Sequence, residues 1–249
     1  MASDDADDTP IPRALELLWR GPNPVRRASG LTRERIVAAA IELADADGLS
    51  ALSMARLAER LGCGTMSLYR HVANKDELVV FMLSAAPAPP PVLSDANWRA
   101  ALSDWASGLW DVYHQHPWVL AAASSGLPAD PGQLAWLDAG LAALASTPLA
   151  ERDKLAAVMS VLHFVRGAAA LDLEAGSLDA SQYAGLLRRL VDPARFPALA
   201  AAVSEGVFDD VDDDPRSGLD SGVRRLLDGI GVEIARANTD SRSGDGAST

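Results

Sequence analysis

Thr65, Met66, Ser67, Tyr69, Arg70 and His71, followed by Lys75, bring hydroxyls, a phenol, an imidazole and two cations into one short stretch of a 249-residue chain. Arg56 lies a few residues upstream. These groups suit phosphate oxygens and base edges. Cations neutralise phosphates, hydroxyls and imidazoles hydrogen-bond to them, and an apolar Met can meet only a thymine methyl or a sugar. The chemistry is recognition of a nucleic acid rather than bond-breaking. No catalytic residue is assigned: Cys63 is the only cysteine and reads as a small packing residue, and the chain has no G-x-S-x-G, H-E-x-x-H or phosphate-loop motif. His114 and His116 are two apart and point to different helix sides, and Asp209 to Asp214 lacks the Gly and Glu of a calcium loop, so neither metal nor cofactor is expected.

Local signals supply the elements that must carry those groups. Ser53 is an N-cap, flanked by Leu52 and Leu57 in the positions of a hydrophobic staple. Leu57, Ala58 and Leu61 form an apolar stripe, and Gly62 stands where a helix ends in positive φ. Thr65 is expected to cap a second helix running to His71, with Leu68 and Val72 turned inward. Asn74 caps the next helix, with Glu77 in capping-box position. Upstream, Thr32 caps RERIVAAAIELADAD, whose Ile36, Ala40, Leu43 and Ala44 face inward. The pattern is a helix-turn-helix on a three-helix support; a plain helical hairpin is the alternative. Tyr69 reads either as a phosphate contact or as a core aromatic. Arg26 and Arg27, just ahead of this domain, either reach the DNA or lie in a solvated linker.

The rest of the chain sets bounds. Ala and Leu dominate and no run alternates as a strand would, so the fold class is all-α. Net charge is −12, divided as −4 over residues 1–19, +2 over 20–80 and −10 over 81–249, so the only positive block holds the helix-turn-helix. No apolar run is read as reaching the roughly 20 residues of a membrane span, and no leader opens the sequence, so a soluble, cytoplasmic protein without membrane contact is expected. Residues 1–30 read as a flexible N-terminal extension containing a short helix at 13–19, with Leu15, Leu18 and Trp19 on one side. The DNA-binding domain spans 31–86, and prolines at 89–91 mark its end. A larger helical domain spans 97–237, its last helix opened by Asp214 and Pro215, and 238–249 reads as a disordered tail.

The combination of A-x-x-L-G, S-L-Y-R-H-V and N-K-D-E-L within residues 31–83 resembles the TetR family of bacterial transcriptional regulators. H-Q-H-P-W and V-R-G-A-A extend a weaker likeness to the C-terminal domain of TetR-type tetracycline repressors. The resemblance implies a homodimer on a palindromic operator, with Thr65, Met66 and Ser67 near bases and Tyr69, His71, Lys75 and Arg56 near phosphates. It also implies that the helices at 151–176 and 215–238 pair with their copies. Leu155, Met159 and Leu162 on the first, and Leu219, Val223, Leu226, Leu227, Ile230 and Ile234 on the second, are the expected interface; packing within one chain is the alternative.

Five of the six tryptophans fall between Trp98 and Trp136, a cluster able to line an apolar pocket or simply to fill a core. Trp110, Tyr113, His114, Trp136, His163, Phe164 and Arg166 are the candidate contacts for an unidentified small-molecule effector; ligands for tetracycline itself cannot be placed. The expected function is a ligand-released repressor. An activator of the same kind, or a small-molecule binding protein with a vestigial DNA domain, are the alternatives.

Overall fold

The computed structural model describes residues 10–20, 30–92, 97–123, 129–175, 180–209 and 214–245. Arg26 and Arg27 lie outside these residues, as does most of the acidic run at 209–214. The described elements are all helical: α1 (Arg13–Trp19), α2 (Arg33–Asp47), a 3₁₀ turn (Leu49–Ala51), α3 (Met54–Arg60), α4 (Thr65–Tyr69), α5 (Lys75–Ala85), α6 (Trp98–Gln115), α7 (Trp118–Ala122), α8 (Pro131–Ala143), α9 (Glu151–Ala175), α10 (Ala180–Leu190), α11 (Pro197–Ser204) and α12 (Pro215–Asp245).

The head is built from α2 to α5. The side chains of Thr32, Ser53 and Asn74 accept hydrogen bonds from the amides of Arg35, Arg56 and Glu77, closing the N-termini of α2, α3 and α5. Gly62 takes φ +64° between α3 and α4. Thr65 is not the cap of α4; Gly64 occupies that position and Thr65 is the first helical residue. The head core gathers Ile36, Ala40, Leu57, Leu68, Val72 and Leu78, all essentially without solvent exposure.

The larger domain centres on α9, which packs against α6, α8 and α12. An 18-residue window of α9 has a mean hydropathy of 1.4, long and apolar enough by composition to cross a membrane, which the sequence reading overlooked. Its Val158, Val161, Val165 and Ala169 are fully buried against neighbouring helices, while only 28% of that window is buried within the chain and Leu155 and Leu171 are exposed. The stripe on α12 also turns inward: Leu219, Val223, Leu227 and Ile230 are buried within the chain rather than left for a partner. Arg99 of α6 donates to Asp228 at 2.9 Å and to the Leu227 carbonyl at 3.1 Å, tying the two helices.

Two boundary expectations change. The N-terminal extension is not flexible throughout, since α1 packs on α5. Arg13 donates to both carboxylate oxygens of Glu77 at 2.7 and 2.6 Å, and Glu77 is only 8% exposed. Glu77 also accepts from the amide of Ala73 rather than from its own N-cap residue. On α1 the buried residue is Ala14, whereas Trp19 is largely exposed and donates its indole N–H to the Ala129 carbonyl. At the other end, α12 runs to Asp245, past the expected stop at 238. No proline interrupts that stretch, and extending a nucleated helix by a turn costs little.

Head and body meet where α5 lies against α7 and α8. Gly132 permits this contact: its amide donates to the Ser84 hydroxyl, and a Cβ there would collide with the Ser84 carbonyl. Gly132→Ala is therefore expected to force α5 and α8 apart, costing about 1–3 kcal/mol, and a thermal melt should show the midpoint falling by several degrees. An unchanged melting temperature would show that this contact is loose.

Candidate DNA-contact surface and effector cavity

The tip of α4 is held from below and open above. Leu68 is fully buried, while Met66 is 72% exposed and Tyr69 46% exposed. Tyr69 is thus not a core aromatic. Thr65 is exposed, and Ser67 and His71 are half-buried beside it. Lys75 stands at the first turn of α5 with its ammonium 3.2 Å from the Leu49 carbonyl, so its position is set by the head itself. Arg56 is oriented likewise: it donates to Asp47 at 2.7 Å and to the Ala51 carbonyl at 3.1 Å while remaining about half exposed. Arg60 pairs with Glu42 at 2.8 Å. These carboxylates hold the guanidiniums in place at the surface, where exposed pairs contribute little to stability.

In the body, α6, α8 and α9 line a partly open cavity of about 250 Å³. Its walls include Trp105, Trp136, Leu109, Val112, Val119 and Leu137. The two indoles are fixed: Trp105 donates to the Trp136 carbonyl at 2.7 Å and Trp136 donates to the Ala88 carbonyl at 2.9 Å. Polar groups enter from Tyr113, Gln133, His163 and Arg166. Leu83 and Pro87, from α5 and the segment after it, also reach the lining.

Four of the seven expected effector contacts therefore line one cavity: Tyr113, Trp136, His163 and Arg166. Trp110, His114 and Phe164 do not. Trp110 and His114 project from another side of α6, where the rings lie 4.1 Å apart and His114 is bonded to Asp172 of α9 at 2.8 Å and to the Trp110 carbonyl at 2.9 Å. Phe164 is turned toward α12, and its ring fills the space that a side chain at Gly222 would need. Conversely Met159 and Leu162, expected at a dimer interface, line the cavity. Neighbouring positions on a helix diverge by a hundred degrees or so, and sequence spacing alone does not say which face meets which neighbour.

Reading the chain residue by residue also missed the junction between head and cavity. Asp45 of α2 accepts from the indole N–H of Trp118 at 2.7 Å, and the same oxygen lies 2.8 Å from Nδ1 of His116. Two residues beyond Trp118, the Leu120 carbonyl accepts from Arg166 at 2.5 Å. Helix α7 is thus bonded on one side to the head and on the other to a cavity cation. The only trace in the sequence is H-Q-H-P-W, which contains both His116 and Trp118.

A helix-turn-helix head with an exposed second helix, joined to an all-helical body with a partly open cavity, defines a DNA-binding transcriptional regulator. Residues 36–80 match the tetR family of bacterial regulatory proteins and residues 90–234 the tetracyclin repressor-like C-terminal domain, so the chain belongs to the TetR family. It is 34% identical to the HTH-type transcriptional repressor DrrR1 of Streptomyces coeruleorubidus across 93% of this chain and 89% of that protein. Among solved structures, apo ActR from Streptomyces coelicolor superimposes with a TM-score of 0.72 at 25% identity, covering 84% of this chain and 99% of its own. The same protein in complex with (S)-DNPA gives 0.69 at 26% identity, covering 84% and 100%.

Burial pushes the Tyr113 phenol above its ordinary value of 10.0, against the lowering effect of the nearby Arg166 charge. Tyr113 therefore stays neutral in the folded protein while an unfolded chain would ionise. Stability from this group is complete below pH 10 and is lost as pH rises through the raised value. An alkaline titration of tyrosinate absorbance should show a late component that Tyr113→Phe removes. A Tyr113→Phe titration superimposable on the parent's would contradict this.

Proposed function

We propose that the protein is a repressor that binds a palindromic operator as a homodimer and is released by a small molecule held in the Trp105–Trp136 cavity. The observation that carries the reading is the tip of α4: large groups at Met66 and Tyr69 face solvent on a helix whose Leu68 is locked in the core. In this reading Thr65, Met66 and Ser67 face base edges, while Tyr69, His71, Lys75 and Arg56 engage phosphates. The protein works in the cytoplasm, where its operator lies.

The outer faces of α9 and α12 support dimerisation. Leu171 and Val232 are exposed, Leu226 and Ile234 are half-buried, and Gly167, Gly218 and Gly229 have open space where a Cβ would stand. Small residues among exposed apolar ones let a second helix pair approach closely. Of the interface expected from sequence, Leu226 and Ile234 are retained, with Leu155 exposed nearer the start of α9. The half-site spacing in such a dimer is about 34–36 Å. A ligand can shift it only through different affinity for the two head arrangements. The bonds of α7 to Arg166 and to Asp45 give the cavity a physical route to the head.

Purified protein should retard a fragment of its own promoter, with affinity falling steeply as salt rises, since each neutralised phosphate releases counterions. Tyr69→Ala combined with Lys75→Ala should abolish that shift while leaving the circular dichroism of the helices unchanged. Undiminished binding by the double variant would refute the assignment of α4 as the reading helix. Asp45→Ala leaves the buried His116 and Trp118 donors without their acceptor. It should lower stability by roughly 1–3 kcal/mol in a denaturant titration; no change would show that the head and α7 are not coupled there.

A further inference from the structure

We propose that Arg13 is a positioning residue for DNA binding: from α1 it holds, through the buried carboxylate of Glu77, the turn that carries His71 and Lys75. This rests on the reading of that turn as a phosphate contact and adds to it a residue outside the head. Helix α1 precedes the matched segments at 36–80 and 90–234, so neither of them contains the donor of this contact.

A run of bonds leads from α1 to the turn. One guanidinium nitrogen of Arg13 donates to both Glu77 oxygens, at 2.7 and 2.6 Å, and the nearer of these, Oε2, also accepts from the Ala73 amide at 3.1 Å. The Glu77 amide in turn donates to the Asn74 side chain at 2.8 Å. Glu77 therefore fixes both Ala73 and Asn74, which stand between His71 and Lys75 in the chain and set how those two side chains are spaced. Below them Val72 is fully buried, and the Lys75 ammonium rests on the Leu49 carbonyl at 3.2 Å. Glu77 is only 8% exposed, so its charge depends on a partner in the protein. Without Arg13 the Ala73 amide is its remaining side-chain donor among the described residues, and the carboxylate is expected to turn toward water and release that amide. Arg13 itself is more than half exposed, which screens the pair. Its contribution to overall stability is therefore small, and its effect shows in the geometry of the turn.

Helix α1 is anchored well enough to act as a reference. Ala14 is buried, Leu17 and Leu18 pack on the core, and the Trp19 indole donates to the Ala129 carbonyl of the body at 3.0 Å. Pro12, Ala14 and Leu15 line one cleft together with Leu49 and Lys75, which puts α1 beside the carbonyl on which Lys75 rests. A guanidinium on a loose segment could follow Glu77 wherever it went; on an anchored helix it fixes Glu77 in place. Holding His71 and Lys75 at a set spacing lowers the ordering cost of meeting two phosphates.

The probe is a DNA duplex enriched from a random-sequence library on the full-length parent. Its affinity is measured over a range of salt concentrations for the parent, Arg13→Ala, Arg13→Lys, Lys75→Ala and the Arg13→Ala/Lys75→Ala double variant, beside a thermal melt of each. Arg13→Ala should stay folded at the assay temperature and bind about tenfold more weakly, the order of one charge-assisted hydrogen bond. Its salt slope should fall by about one, as for a lost phosphate contact. Arg13→Lys, which keeps the charge, should fall between the two. With Lys75 already removed, the same Arg13 change should cost no more than about threefold, because the two act through one turn. Arg13→Gln serves in the same comparisons if the alanine variant fails to fold. Undiminished affinity of the Arg13 variant would overturn the proposal. So would a loss that is equally large without Lys75 and leaves the salt slope unchanged, which is what a merely structural brace gives. A library that yields no duplex bound by the parent, or a Lys75→Ala variant that binds as the parent does, refutes the reading of the turn as a phosphate contact and the proposal with it; a Lys75 effect without an Arg13 effect refutes the positioning role alone.

Discussion

Helix α5 is apolar around most of its circumference, and such a helix must be covered on every side. Leu78, Phe81, Met82 and Leu83 are buried and Val79 and Val80 half-buried, leaving little of the helix for solvent. The head supplies one side of the cover through α2, the body supplies another through α7 and α8, and α1 supplies a third. Because the core runs continuously through this helix from head to body, the head cannot shift against the body without disturbing it. The Arg13–Glu77 pair reinforces the arrangement at the N-terminus of α5, where a carboxylate is also favoured by the exposed amides of the first turn.

Electrostatics divides the molecule by task. The acidic body keeps net charge far from zero and leaves the head as the only segment with a positive balance. On the head, carboxylates at Asp47 and Glu42 hold Arg56 and Arg60 extended along its surface, which lowers the conformational cost of presenting them to a second anion. Inside the body the same guanidinium group does different work. Arg166 faces apolar walls and donates to a backbone carbonyl, with no carboxylate paired to it among the described residues.

Much of the head was legible in the sequence because its signals are local. Ser53, Thr32 and Asn74 cap helices through bonds to residues three positions away, and Gly62 marks its turn by the conformation only glycine adopts cheaply. The cavity was half legible. Tyr113, Trp136, His163 and Arg166 were expected there and lie there, but Trp110 lies against His114, which is bonded to α9, and Phe164 faces α12. Helical spacing groups residues into faces without saying which neighbour each face meets. The stripe on α12 shows the same limit: it was expected at a dimer interface, with packing inside the chain as the alternative, and its Leu219, Val223, Leu227 and Ile230 are buried where α12 packs on α6 and α9.

The sequence by itself determined an all-helical chain, the three-helix head and the residues displayed on its second helix, because caps, turns and periodicity act within a few residues. It also carried the family, chiefly through motifs within residues 31–83 and more weakly through H-Q-H-P-W and V-R-G-A-A. Only the tertiary structure decided that α1 braces α5, that Asp45 joins α2 to α7 through His116 and Trp118, and that Arg166 enters an aromatic cavity without an acidic partner among the described residues. Each of these joins residues dozens of positions apart, and their meeting depends on how whole helices pack rather than on any local preference.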